Sequence, residues 1–233
     1  MGVDRDSIDE PDERSGLELS SSGPGATVGG QIRPAILSVL VLTVLSGVVF
    51  PLLLFALARP FFPHQIDGSL IRRGGAVVGS EHIGQDFQRP EYFQSRPSAA
   101  GRGYDGTASG GTNLGPNNPR LVNGSSDFAG IRQLSQGYRE RNGLAPDAPI
   151  PIDAVTRSGS GLDPHISLAN ALLQVPRVAR ARALNEEPLR RLVMDHLDGP
   201  QFGFLGSPRV SVLALNLALD EMKKQESGVR SQE

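Results

Sequence analysis

The hydropathy of this chain is divided at one place. Between Arg33 and Arg59 run twenty-five residues, PAILSVLVLTVLSGVVFPLLLFALA, without a charged side chain. A bilayer's hydrocarbon core is about 30 Å thick and needs about 20 apolar residues of helix. Residues 34–58 therefore predict a single transmembrane helix with some length left for tilt. Lipid offers backbone groups no partner, so a lone segment must satisfy them within itself as a helix. Pro51 lacks the donor N–H, which predicts a kink or a loosened turn near the end of the span. The competing readings are a cleaved signal, for which Ala56-Leu57-Ala58 imitates a small-x-small site, and a buried core helix. A signal's apolar region is only about 7 to 15 residues, shorter than this run. Thr43, Ser46 and Gly47 share one sector of the helix, where small side chains would let a partner helix approach. Small residues facing lipid are the plainer account of the same three positions.

Outside the span the pattern is broken into short pieces. Residues 1–31 are acidic and then rich in Ser and Gly, too poor in apolar groups to offset ordering entropy, and are expected to be disordered. Arg59-Pro60-Phe61-Phe62-Pro63 reads as an interfacial exit. Residues 69–72 and 76–78, joined through Arg73-Gly74-Gly75, predict a β-hairpin. Residues 98–119 are dominated by Gly, Ser, Asn and Pro, a long irregular stretch of the kind that serves function or docks on a neighbour. Asp127 is placed to cap a helix through Ile131, Leu134 and Tyr138 that Gly143 ends, and 151–156 reads as a strand. Ser167 opens a short helix to Gln174, Pro176 begins another, and Asn185 caps 186–197. Residues 209–213 alternate like a strand, and Asn216 begins a last helix. The expected fold is α+β: a membrane helix at 34–58, one mixed α/β domain over 60–225, and a disordered end at 226–233.

Composition narrows the chemistry. Of 233 residues 28 are Gly and 18 Pro, with 5% aromatics and no Trp, which predicts a loop-rich domain. There is no Cys, which excludes disulfides, thiol catalysis and thiolate metal sites. Net charge is -2, with seven carboxylates against Arg5 and Arg14 in the first thirty residues, and no basic, aromatic-lined stripe suggests nucleic acid. Arginines on both flanks of the span leave its orientation undetermined by charge. Phosphate-loop, zinc-protease, nucleophile-elbow and calcium-loop motifs are absent, and the only lysines are Lys223 and Lys224. No metal set is expected: Asp163-Pro164-His165 reads as a turn with a surface imidazole. Two Gly/Ser clusters, 109–113 and 158–163, offer amides that could form an anion nest or simply tight turns.

Those clusters also carry a resemblance. Gly68-Ser69-Leu70-Ile71, Gly79-Ser80 with Ile83-Gly84-Gln85 and Phe87, Tyr92-Phe93 with Arg96-Pro97-Ser98, Ser109-Gly110-Gly111 with Asn113, SGSGLDPHIS at 158–167, Gln174-Val175-Pro176-Arg177 and Leu215-Asn216 with Leu219-Asp220 follow one another as in a single family. From about Arg33 to Asp220 the chain resembles the C subunit of the high-affinity potassium-transporting ATPase, the Kdp system. The resemblance implies a single-pass subunit of a bacterial inner-membrane complex, N-terminus cytoplasmic and domain extracytoplasmic. It implies no catalytic residues and no firmly bound cofactor. Its implied partners are the lipid bilayer, the potassium-selecting subunit and the P-type ATPase subunit, which the chain assembles with and stabilises. It also implies a catalytic-chaperone role, with ATP affinity raised through a ternary complex near Gln174 and the run Ser158, Gly159, Ser160, Gly161, Leu162, Asp163. The acidic tail is longer than that family needs, and 123–130 interrupts a helix that is usually more continuous. The alternative functions are a membrane-anchored extracytoplasmic binding module, or a hydrolase using Ser160, His165 and Asp163.

Overall fold

The computed structural model describes residues 28–230. Contacts divide the chain into two units, Met1–Phe61 and Phe62–Glu233, and each is described by itself. The tail expected to be disordered lies outside the described residues except at 28–31, which are already helical. In the first unit, α1 (Val28–Val44), a π-helical turn (Leu45–Val49) and α2 (Phe50–Ala58) form one continuous rod. Gly29–Ala58 is long and apolar enough to cross a membrane and is nowhere buried, so it is not a core helix. Its 30 residues span about 45 Å at 1.5 Å per residue. The rod begins before the apolar run and carries Pro34 inside α1, giving up the bond to the Gly30 carbonyl. The loosening expected from Pro51 takes the form of the π turn: Phe50 N–H donates to the Leu45 carbonyl, five residues back.

The second unit is mixed α and β. After α3 (Pro63–Ile66) come β1 (Leu70–Arg73) and β2 (Ala76–Ser80), an antiparallel hairpin. Gly74 and Gly75 turn it at φ 57° and 83°, a region open to glycine without strain. Among the described residues no helix or strand follows until α4 (Pro119–Asn123), then α5 (Ile131–Asn142). Strand β3 (His165–Ser167) leads into α6 (Leu168–Arg182) and α7 (Glu186–Asp195). Strands β4 (Leu197–Asp198) and β5 (Arg209–Ser211) precede α8 (Val212–Arg230). The second sheet is antiparallel in the order β3-β5-β4. Its one inward central residue, Val210, meets Ile166, Val175, Val178, Leu189, Val193, Leu215 and Leu219 in the main core. Fully buried among them is Phe93, from a segment with no regular structure. A smaller cluster of Tyr138, Ala154 and Val155 joins α5 to α6.

Several local expectations give way to tertiary contacts. Gly130, not Asp127, precedes α5, and Gln133 Oε1 accepts from the Gly130 N–H at 3.0 Å. Asp127 is instead engaged by Arg120 and Ser125. Residues 152–154 form a 3₁₀ turn rather than a strand, because Asp153 is drawn to the start of α6, accepting from Ser167 N and Oγ at 2.8 Å each. Ser167 does cap α6, accepting from Asn170 N at 3.1 Å, but the helix runs on through Pro176 instead of breaking. Helix α7 ends at Asp195, and α8 begins at Val212, directly after β5, rather than at Asn216. That last helix continues through Arg230, into the end expected to be disordered. Residues 231–233 lie outside the described ones.

Helix α6 ends on Ala183 in the left-handed region, φ 56°, with Leu184 N–H donating to the Ala179 carbonyl at 2.9 Å. An L residue with a Cβ is strained there by about 1 to 2 kcal/mol, and the position is exposed. Ala183→Gly should therefore stabilise the protein by about 1 kcal/mol, seen as a higher thermal midpoint of the detergent-solubilised chain.

Candidate functional site

Helix α6 has two buried faces. Ala171, Val175, Val178 and Ala179 enter the main core, while Asn170, Gln174 and Arg177, at i, i+4 and i+7, align on the other side. Gln174 is only 1% exposed. Its Nε2 donates to the Gln94 carbonyl at 3.0 Å and to Asn170 Oδ1 at 2.9 Å. Its Oε1 accepts from Gln94 N at 2.7 Å and from an Arg177 guanidinium nitrogen at 2.6 Å. Two donors and two lone pairs are the whole capacity of a carboxamide, so all of it is used inside the chain. One residue earlier, Asn216 of α8 repeats the grip, accepting from Phe93 N and donating to Phe93 O, both at 2.9 Å. Two side-chain amides thus replace a strand partner for consecutive residues.

The grip continues on either side. Arg177 donates to the Pro90 and Tyr92 carbonyls at 2.5 and 2.9 Å and to Asn142 Oδ1 at 2.9 Å. Burial lowers its pKa to about 10, which leaves it charged at neutral pH. Arg182 donates to the Glu91 carbonyl at 2.7 Å and pairs with Asp220 at 2.8 Å. The Tyr92 ring is approached by Arg182 and Arg89, whose guanidinium carbons are 4.8 and 5.1 Å from its centre. Beneath Gln174, Asn170 accepts from Tyr138 Oη at 2.8 Å and donates to Asp153 at 2.9 Å.

The two Gly/Ser clusters face each other instead of opening outward. Gly110 N–H and Ser109 Oγ both donate to the Ser160 carbonyl at 2.9 Å. A Cβ at Gly161, φ 70°, would lie 2.6 Å from both Ala100 N and Gly110 O, and one at Gly111 would lie 2.7 Å from Gly159 O. Ser98 Oγ donates to Gly161 O at 2.6 Å, and Gly84 N–H to Leu162 O at 2.8 Å. Ser158 Oγ is enclosed without a hydrogen-bond partner among the described residues. Asp163 pairs with Arg96 at 2.8 Å, and Arg96 also reaches the Thr156 carbonyl. Gln174 and the run 158–163 thus hold the same segment, at Gln94 and at Arg96, with no hydrogen bond between them among the described residues.

A cleft of about 390 Å³ opens beside that segment, lined among others by Asp86, Gln94, Arg96, Tyr104, Tyr138 and Arg141. Neither Gln174 nor 158–163 lines it. Burial pushes the Tyr104 hydroxyl up to about 12, and it donates to the Arg96 carbonyl. The hydrolase residues do not form a relay. Ser160 Oγ accepts from Leu162 N at 3.1 Å, and His165 Nδ1 stands 3.5 Å from Asp163 Oδ1. Among the described residues no group of His, Asp and Glu is arranged to hold a metal ion. In the other unit, the span's Ser46 Oγ bonds back to the Leu42 carbonyl, and Gly47 has nothing within 4 Å of where a Cβ would stand. Sequence reasoning gave Asn170, Arg177 and Asn216 no positioning role; the polar i, i+4, i+7 spacing of Asn170, Gln174 and Arg177 was the signal for the first two.

The family described as K+-transporting ATPase, c chain, matches residues 32–221. The chain belongs to this KdpC family. It is 48% identical over 192 residues to the potassium-transporting ATPase KdpC subunit of Mycobacterium tuberculosis H37Rv, covering 82% of this chain and 98% of that one. The KdpC subunit of Sorangium cellulosum is 52% identical over 190 residues, 81% and 96% of the two chains. That of Koribacter versatilis is 51% identical over 186 residues, 80% and 92%. The matched span takes in the apolar rod from Ile32 onward, the 90–98 segment and both side-chain grips.

Asp163 supplies a pH test of the grip. Burial raises its carboxyl pKa, but the donors from His165 and Arg96 outweigh burial and lower it from 3.8 to about 2. A depressed folded pKa contributes stability above the unfolded value, lost as pH falls through the folded one. The loss should reach about 2 kcal/mol between pH 5 and 2. Asp163→Asn should flatten that limb when thermal midpoints of the full chain are followed across this range.

Proposed function

We propose that this chain is the non-catalytic, membrane-anchored subunit of an ATP-driven potassium-uptake complex, with the Phe62–Glu233 unit outside the cytoplasm. The observation that carries the reading is the apolar rod Gly29–Ala58, none of it buried within the chain, in a chain of the KdpC family. An apolar surface of that length needs lipid or apolar helices around it, and a bilayer shared with other subunits supplies both. The chain then assembles with and stabilises an ion-selecting subunit and an ATP-hydrolysing one. A chaperone effect on ATP affinity would act at a distance, by binding two conformational states of the complex unequally. Gln174 is best read as a positioning residue, because its hydrogen bonds are spent holding Gln94, Asn170 and Arg177.

Membranes from cells lacking this chain should lose assembled, potassium-stimulated ATPase activity; full activity would overturn the reading. Protease added outside sealed, right-side-out vesicles should cut the soluble unit, and protection would overturn its placement. Gln174→Ala strands the Gln94 amide and carbonyl in the interior and should cost about 3 kcal/mol of stability, lowering recovered complex while ATP affinity per assembled complex stays unchanged. Weakened ATP affinity at full assembly would point to a nucleotide role instead.

A further inference from the structure

The cleft of about 390 Å³ beside residues 94–98 carries two charges that the fold does not use. Part of its lining is α5, which presents Leu134, Tyr138 and Arg141 at i, i+4 and i+7, one face of a helix. Another part is Asp86, Phe87 and Gln88, tied to the central segment by Gln94 Nε2, which donates to the Gln88 carbonyl at 3.2 Å. Tyr104 also lines the cleft, fixed through its hydroxyl to the Arg96 carbonyl. Three charged side chains line it: Asp86, Arg96 and Arg141. Arg96 is neutralised by Asp163 at 2.8 Å. Among the described residues neither Asp86 nor Arg141 is in an ion pair, and Asp86 accepts one side-chain bond, from Gln88 Nε2 at 2.5 Å.

Those two charges act on different parts of the cleft. Burial raises the hydroxyl pKa of both tyrosines; Asp86 adds to the rise at Tyr104, while Arg141 opposes it at Tyr138. Both hydroxyls are already spent, that of Tyr138 on Asn170 at 2.8 Å and that of Tyr104 on Arg96. What the tyrosines offer a ligand is therefore ring surface.

We propose that this cleft binds a small zwitterion of amino-acid to dipeptide size, with its ammonium at Asp86 and its carboxylate at Arg141. The unpaired lining charges are one of each sign, so an anion or a cation alone gains from one and is opposed by the other. A zwitterion satisfies both. The acidic part adds the rings of Phe87 and Tyr104, which favour an ammonium through their negative faces. The guanidinium of Arg141 presents a fork that a carboxylate can meet with two hydrogen bonds. Ligand sites run from about 300 to 1,000 Å³, and this cleft lies at the small end, too small for a large cofactor. Gln94 Oε1 remains able to accept from a ligand N–H such as that of a peptide bond. The site is separate from the assembly role and does not depend on it.

The test is isothermal calorimetry on the detergent-solubilised full chain, with glycine and glycylglycine as probes. At least one should bind saturably. For glycylglycine, blocking either end, as in acetylglycylglycine or glycylglycinamide, should weaken binding by roughly tenfold or more. Asp86→Asn and Arg141→Gln should each weaken the bound zwitterion by a similar factor, with thermal midpoints unchanged because both side chains are exposed. Absence of saturable binding by both probes, equal affinity for the blocked peptides, or binding that survives both substitutions would overturn the assignment. Any of these would leave the assembly reading intact, since that reading is tested by recovery of the complex and not by this ligand.

Discussion

The Phe62–Glu233 unit depends on one constraint: an irregular stretch of backbone passes through its interior and has to be hydrogen-bonded there. A buried peptide group left without a partner costs free energy comparable to a lost bond. Most proteins meet that demand with a neighbouring strand. Here side chains do it, and the partners change along the segment. Arg177 takes the carbonyls of Pro90 and Tyr92, Arg182 that of Glu91, Asn216 both groups of Phe93, Gln174 both groups of Gln94, and Tyr104 the carbonyl of Arg96. Because α6 and α8 each contribute, the segment ties the two helices together, and Phe93 can fill the core between them.

The arginines show why charge is tolerated so deep. Arg177 is 6% exposed, and its contacts are neutral oxygens: two backbone carbonyls, Asn142 and Gln174. Each is a charge-assisted bond, stronger than its neutral equivalent, and the set leaves few of its donors idle. Burial lowers its pKa without discharging it. Arg182 follows the other route, pairing with Asp220, which also accepts from the Tyr92 hydroxyl at 3.2 Å. Replacing either guanidinium by a shorter or apolar side chain would strand carbonyls of the same segment, so both act on position through backbone.

Signals that act within a few residues were legible in the sequence, and those that depend on packing were not. The Gly74-Gly75 hairpin, the Ser167 cap, the Gly143 stop and the apolar rod are each specified by a handful of neighbours. Pro176 was misleading because its penalty is local while its compensation is not. Continuing α6 forfeits the bond to the Leu172 carbonyl, yet it keeps Val175 and Val178 in the core and Gln174 and Arg177 on the segment. Asp153 was lost as a strand residue for the same reason, being held by Ser167 and Asn170 across the fold. The Gly/Ser runs at 109–113 and 158–163 were visible as turns, but that they close on each other could not be read from either one alone.

The span solves the same accounting problem without any fold to help it. A regular α-helix would press the Pro51 ring against the Gly47 carbonyl four residues back and leave that oxygen unbonded. Widening the preceding turn moves the donor of Phe50 onto Leu45, which takes the ring off that carbonyl while keeping the ladder almost complete. Ser46 lies inside the widened turn and returns its hydroxyl to the Leu42 carbonyl, so no polar group of that side chain is offered to lipid. Ser46 is thus held by internal hydrogen bonding, whereas a Cβ at Gly47 would meet nothing within 4 Å, so packing within this chain does not itself require a glycine there. Any helix that packs against this sector meets a surface already shaped by the widened turn before Pro51 and left open at Gly47.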